Sequence, residues 1–164
     1  MSDKLNQIFQ KQQKQIDEPN KTDEDIVQLV GFIVGEEEYA IPILNIVEII
    51  KPIDYTRVPS VPDYVLGVFN IRGNVIPLID LRRKFNLPPI NNTPDTRYIV
   101  MKGENNTAGF VIDRLTEAIR INQNRIDPPP ETIATDKGMI YGIGKREDSM
   151  LTILKVEALL KRDF

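Results

Sequence analysis

The segment GMIYGIGKR, Gly138 to Arg146, sets a lysine behind closely spaced glycines, the ingredients of a loop that cradles phosphate. Such a loop needs a glycine five residues before the one that precedes the lysine, and a hydroxyl after the lysine to hold magnesium. Met139 and Arg146 occupy those two positions, so no nucleotide site is built here. Glu36, Glu37 and Glu38 form an acidic run. Neighbours along a strand face opposite sides, so three in a row cannot converge on a metal, and the run reads as a solvated turn. Asp80 and Asp113 each close an apolar run, where a phosphate-accepting aspartate would sit. The strand–helix alternation and partner lysine of such domains are missing, which leaves helix capping and turn bonding as their use. Asn91-Asn92-Thr93 and Asn105-Asn106-Thr107 match glycosylation acceptors but read as polar loops.

The absences narrow the chemistry further. The 164 residues include no histidine, no cysteine and no tryptophan. That removes the disulfide framework, the cysteine nucleophile, nearly all zinc sites and the commonest general base. A carboxylate-only hydrolase on a β-barrel remains as the rival class, but no converging acidic pair can be nominated. The expectation is a binding protein with no catalytic residues, no metal and no cofactor. A net charge of −3 without a basic block argues against nucleic acid. No apolar run approaches the roughly 18–20 residues that span a bilayer. The first residues lack the apolar core of a signal peptide, so a cytoplasmic protein without membrane insertion is expected.

The elements that must position any site are short and rich in valine and isoleucine. Residues 1–25 read as a flexible N-terminal extension, polar and acidic with one sparse apolar stripe of Leu5, Ile8, Phe9 and Ile16. From Ile26, VQLVGFIV and YAIPI flank a turn at GEEE. EIIKPIDYTRVP reads as an edge strand because of its prolines. VLGVFNI and NVIPLIDL pair around Arg72-Gly73, and DLRRKFN gives a helical turn with Asp80 at its start. After the loop PPINNTPDT the same pattern returns: RYIVMKG, TAGFVIDRL, TEAIRIN, the hairpin MIYGIGKRED–SMLTILKV and a closing helix in VEALLKRDF.

That return is an internal repeat. A shift of 68 carries Gly35-Glu36 onto Gly103-Glu104, Ala40 onto Ala108 and Arg57 onto Arg125. A shift of 75 carries Gly67 onto Gly142, Val75-Ile76 onto Met150-Leu151, Leu78-Ile79 onto Ile153-Leu154 and Phe85 onto Leu160. The extra residues sit in the loop PPPETIATDKG. The domain is expected over 26–164, with sequence halves 26–90 and 95–164, each giving about five strands and a terminal helical turn. Five short strands curl into a small barrel, and two such barrels are stable if they share a core. The predicted fold is all-β: two five-stranded barrels around a common hydrophobic centre, with strands open to exchange between them.

The ordered set EEYAIPILNIVEII, TRVPSVPDYVLGVFNIRGNVIPLIDLRRKF, GFVIDRLTEAIRI, DPPPE and MIYGIGKREDSMLTILKVEALL resembles the CheW family of bacterial chemotaxis coupling proteins, over roughly Val27 to Lys161. The resemblance implies barrels of the SH3-like type and a non-catalytic adaptor. It implies binding to the cytoplasmic tip of methyl-accepting chemoreceptors and to the regulatory domain of the histidine kinase CheA, in a membrane-associated array. Carried over by position, Ile46, Glu48, Gly67, Arg72, Gly73, Gly109, Leu115 and Ala118 are the receptor-binding candidates. Ala118 departs from the bulkier aliphatic common at its position. Ile53, Tyr55 and Val58 are the kinase-binding candidates. A scaffold for a sensory kinase that does not control flagella is the alternative. An arginine at a hairpin tip stands in solvent with its stem over apolar surface, its planar fork free for carboxylate or main-chain oxygens.

Overall fold

The structure, a computed structural model, describes residues 25–130, 138–162 and 164. The expected N-terminal extension, apart from Asp25, and most of the loop after Pro130 lie outside the described residues. Among the described residues, eleven strands and two short helices follow one another: β1 (Ile26–Val34), β2 (Glu37–Pro42), β3 (Ile46–Ile50), β4 (Val65–Ile71), β5 (Asn74–Asp80), α1 (Leu81–Lys84), β6 (Arg97–Lys102), β7 (Thr107–Ile112), β8 (Arg114–Asn122), β9 (Ile126–Asp127), β10 (Ile140–Lys145), β11 (Met150–Leu154) and α2 (Val156–Leu160). The predicted edge strand from Glu48 to Pro59 is shorter than expected. It stops at Ile50, because Pro52 has no N–H to offer, and only Thr56 pairs again, as an isolated bridge to Val68.

The strands form two sheets, ordered β8-β1-β2-β11-β10-β9 and β3-β6-β7-β5-β4. The repeat explains this order. Under the shifts found in the sequence, β8, β1, β2, β11 and β10 correspond to β3, β6, β7, β5 and β4, and β9 takes the place of the Thr56 bridge because their partners Ile143 and Val68 are equivalent. The first hairpin of each half therefore sits in the sheet built by the other half. Two parallel pairings join the exchanged pieces: Thr152 with Tyr39 and Ile153 with Ala40 in one sheet, Leu78 with Gly109 and Ile79 with Phe110 in the other. Only the first sheet departs from the expected five strands, through the two residues of β9.

Equivalent glycines admit the segment that runs beside the second hairpin of each half, the Thr56 bridge on β4 and β9 on β10. A Cβ on Gly67 would overlap the Thr56 carbonyl, and one on Gly142 would lie 2.7 Å from the Asp127 carbonyl oxygen. Each strand passes over its neighbour's backbone because that side chain is missing.

Three apolar clusters fill the interior. Leu29, Ala40, Ile119, Ile121, Leu151 and Ile153 pack inside the first sheet, and Phe69, Ile76, Leu78, Tyr98 and Val100 inside the second. The largest lies between them. Phe32, Val34 and Ile41 from one sheet meet Ile79, Ile99, Met101 and Phe110 from the other, with Leu81 of α1 and Leu159 of α2 closing it. This is the shared core, and the fold is two SH3-like barrels around it.

Phe110 is fully buried in that centre, so Phe110→Ala should cost about 3–5 kcal/mol. Because both sheets line the same cluster, urea unfolding followed by tyrosine fluorescence and by far-UV circular dichroism should show one shared transition, displaced to lower urea. Two separated transitions would mean that the barrels hold together independently.

Candidate docking surface

The turn between β4 and β5 contains two residues with positive φ, Arg72 at 50° and Gly73 at 85°. Ile71 and Asn74 face each other across it, so this is the two-residue turn whose twist matches a hairpin. The Gly73 amide donates to Asn70 Oδ1 at 3.1 Å. Glycine fits its position without penalty, but a left-handed arginine costs about 1–2 kcal/mol. Local preference would place asparagine or glycine at Arg72, so the arginine is kept against the turn's own chemistry.

Arg72 is held rather than loose. Its Nη2 lies 2.9 Å from Glu48 Oε2, with the arginine side chain 82% exposed and the glutamate 19%. Glu48 is on β3 and Arg72 follows β4, the two edge strands at opposite ends of the second sheet. Their contact shows the sheet curling towards closure. The pair is thus an exposed guanidinium steered by a half-buried carboxylate, with most of its fork still open to solvent.

Ile46 and Leu115 are both half-buried and pack on the central cluster from β3 and β8. These are the equivalent edge strands of the two sheets. Ala118, further along β8 and opposite Val30, is exposed. Gly67 and Gly109 are interior. A Cβ on Gly109 would lie 2.6 Å from the Phe69 ring, so this glycine acts by admitting the ring. The structure therefore brings Glu48, Arg72 and Gly73 into one polar tip, sets Ile46 and Leu115 on edges of the common core, and encloses the two interior glycines.

Ile53, Tyr55 and Val58 fall on the connection between β3 and β4. Ile53 and Tyr55 are exposed, and Val58 is half-buried. Thr56 clamps this segment to β4 through paired backbone bonds with Val68, both 2.8 Å. The Tyr98 hydroxyl reaches the Ile53 carbonyl at 3.4 Å.

The acidic residues singled out for chemistry have structural partners. Asp80 Oδ1 caps α1 by accepting from the Arg82 amide at 3.0 Å. Burial raises the Asp80 pKa above its ordinary value, outweighing that bond and the nearby arginines. Asp113 does more than bond a turn. It receives Arg82 Nε and Nη2 at 2.9 and 2.8 Å and the Gly35 amide at 2.8 Å, tying the β1–β2 turn to α1. The acidic run is not wholly solvated either. Glu38 pairs with Arg146, which also donates to Glu117 at 2.8 Å, because strand pleating turns Glu38 towards the β10–β11 tip while Glu36 and Glu37 stay exposed. No group of three acidic or metal-ligating residues converges among the described residues.

The CheW-like domain sequence model matches residues 28–164. The chain belongs to the CheW-like family. It is 56% identical to the chemotaxis protein CheW of Helicobacter pylori over 165 residues, covering all of both chains. It is 34% identical to the CheW of Bacillus subtilis over 137 residues, covering 83% of this chain and 88% of the relative. The crystal structure of the scaffolding protein TtCheW from Thermoanaerobacter tengcongensis superposes with a TM-score of 0.77 at 32% identity, over 84% of this chain and 94% of that one. These relatives make this CheW-like chain a chemotaxis adaptor by family. No helix among the described residues is long and apolar enough to cross a membrane.

Sequence reading missed two exposed aliphatics beside the candidate set, Leu44 and Val47. A 3-10 turn at Ile43–Asn45 and a bulge between Ile46 and Glu48 present them outward. Simple alternation does not foresee the extra residue of a bulge.

Arg72→Asn replaces a strained residue with one that tolerates the left-handed region, and sacrifices only an exposed ion pair worth under about 1 kcal/mol. The variant should be as stable as the wild type or more stable by up to about 1 kcal/mol, measured by chemical denaturation. A clear loss of stability would show that the Glu48 pair holds the fold.

Proposed function

We propose that this chain couples the cytoplasmic tip of methyl-accepting chemoreceptors to a CheA-type histidine kinase, so that receptor state controls kinase autophosphorylation. The observation that carries this reading is Arg72, an exposed arginine kept in an unfavourable backbone conformation and aimed by Glu48. Family membership supports the partner class. The receptor helices would meet the tip and the edges bearing Ile46, Leu115 and Ala118, in the manner of an amphipathic helix against apolar anchors. Arg72 would take a carboxylate or main-chain oxygens at the border of that contact. The kinase regulatory domain would dock on Ile53, Tyr55 and Val58. Modest single contacts become effective when many are linked in an array at the cytoplasmic face of the membrane. No chemistry is assigned to the chain.

The test is phosphate incorporation by the cognate kinase on receptor-containing membranes. Wild-type protein should raise it, and Arg72→His should leave it near the level without adaptor while melting like the wild type. Equal activation by Arg72→His would remove the arginine from the coupling site.

Ile46→Asp should weaken receptor binding in co-sedimentation more than kinase binding, because a charge would be desolvated against the receptor helix. Retained receptor sedimentation by a folded variant would place the groove elsewhere.

A further inference from the structure

Beside the proposed kinase face lies a cleft of about 280 Å³ whose lining includes Tyr55, Ile90, Tyr98 and two carboxylates, Asp80 and Asp113. Two arginines reach it, and they differ. Arg82 is consumed: its Nε and Nη2 go to Asp113, and its Nη1 to the Pro88 carbonyl at 3.0 Å. Arg83 is not. None of its guanidinium N–H groups has a hydrogen bond among the described residues, and its Nε is buried facing Asp80 without bonding it. The nearest carboxylate, Asp80 Oδ2, is 3.5 Å away, an electrostatic contact rather than a bond. That carboxylate already spends its other oxygen on the helix cap, and its raised pKa reflects how little solvent supports its charge.

The cleft thus offers a guanidinium, 36% exposed, whose amino ends hydrogen-bond nothing among the described residues, with Tyr55, Tyr98 and Ile90 set among otherwise polar walls. Ile90 stands 50% exposed on the rim, although nothing in its own loop requires an isoleucine there. A cation beside two tyrosine rings and an exposed isoleucine suits a side chain with a hydrocarbon neck and an anionic end.

We propose that this cleft takes one glutamate or aspartate side chain from the docking kinase domain, its carboxylate forked on Arg83 and its neck between Tyr55 and Ile90. The inference rests on the kinase face proposed above and extends it to a residue that discriminates among partners. Charge complementarity selects this occupant: Asp113 is taken by Arg82 and the Gly35 amide, and Asp80 by the helix cap and Arg83 Nε, so the amino ends of Arg83 are the donors left for a carboxylate, which a planar guanidinium binds through two parallel bonds. A free anion such as phosphate would use Arg83 but leave Tyr55 and Ile90 without a function.

Calorimetric titration of the full chain with the regulatory domain of its cognate CheA-type kinase tests this. Arg83→Gln should weaken binding roughly tenfold, as expected for one charge-assisted contact, and raising salt should weaken the wild type more than the variant. Ile90 supplies a readout that a purely packing role would not move. Ile90→Glu should weaken binding by repelling the incoming carboxylate, and Ile90→Lys should keep or tighten it. If Arg83→Gln binds like the wild type, or both Ile90 variants weaken binding equally, the cleft does not take an acid. Ile53→Asp separates the two levels. A loss with Ile53→Asp but none with Arg83→Gln overturns the cleft alone, and no loss with either overturns the kinase face as well.

Discussion

The two barrels depend on the reciprocal exchange of their first hairpins. β1 and β2 close the sheet made by β8 to β11, and β6 and β7 close the one made by β3 to β5. A five-strand half made only of its own sequence would enclose a small core, and a core of that size is marginal. Exchange turns each half into part of the other's wall. Phe32 and Phe110, one from each exchanged hairpin, then meet in the cluster common to both sheets. Edge strands β3 and β8 lean on that cluster, so the surfaces carrying Ile46 and Leu115 inherit their position from the centre of the molecule.

Polar contacts finish what the exchange begins. Asp113 collects Arg82 and the Gly35 amide at the place where the exchanged β1–β2 turn meets the end of the other sheet. The pair is mostly buried, and its oxygens are fully used, which is the condition under which a buried ion pair is tolerated. Arg146 plays the corresponding part at the β10–β11 tip, with Glu38 and Glu117. Against this background of committed arginines, Arg72 and Arg83 stand out. One is aimed outward by a single carboxylate, and the other faces a cleft with its amino ends unbonded among the described residues.

Much of this was legible before any coordinate. Alternating Val and Ile marked the hairpins, and Gly35 and Gly103 marked equivalent turns. The paired shifts of 68 and 75 gave two related halves because Gly67 and Gly142 answer the same steric demand. Family resemblance supplied the candidate positions, which spacing alone never would have. What stayed hidden was non-local. Nothing near Asp113 in sequence announces Arg82 or Gly35, since the latter is separated by 78 positions. Pattern reading along Ile46 to Ile50 likewise assumes regular pleating, and the bulge there turns Val47 outward against that assumption. The ion pair between Glu48 and Arg72 needed the curl of a whole sheet.

Hairpin exchange also has a consequence during synthesis. Tyr39 and Ala40 find their parallel partners only at Thr152 and Ile153. The first hairpin to leave the ribosome therefore carries an open edge until nearly all of the described chain has been made. Non-local pairing of this kind folds slowly and leaves strand edges exposed meanwhile. The nascent chain must be kept from pairing with its neighbours, and the same hairpin can exchange with a second copy only where the concentration of copies rivals the effective concentration of its own chain's partner strand.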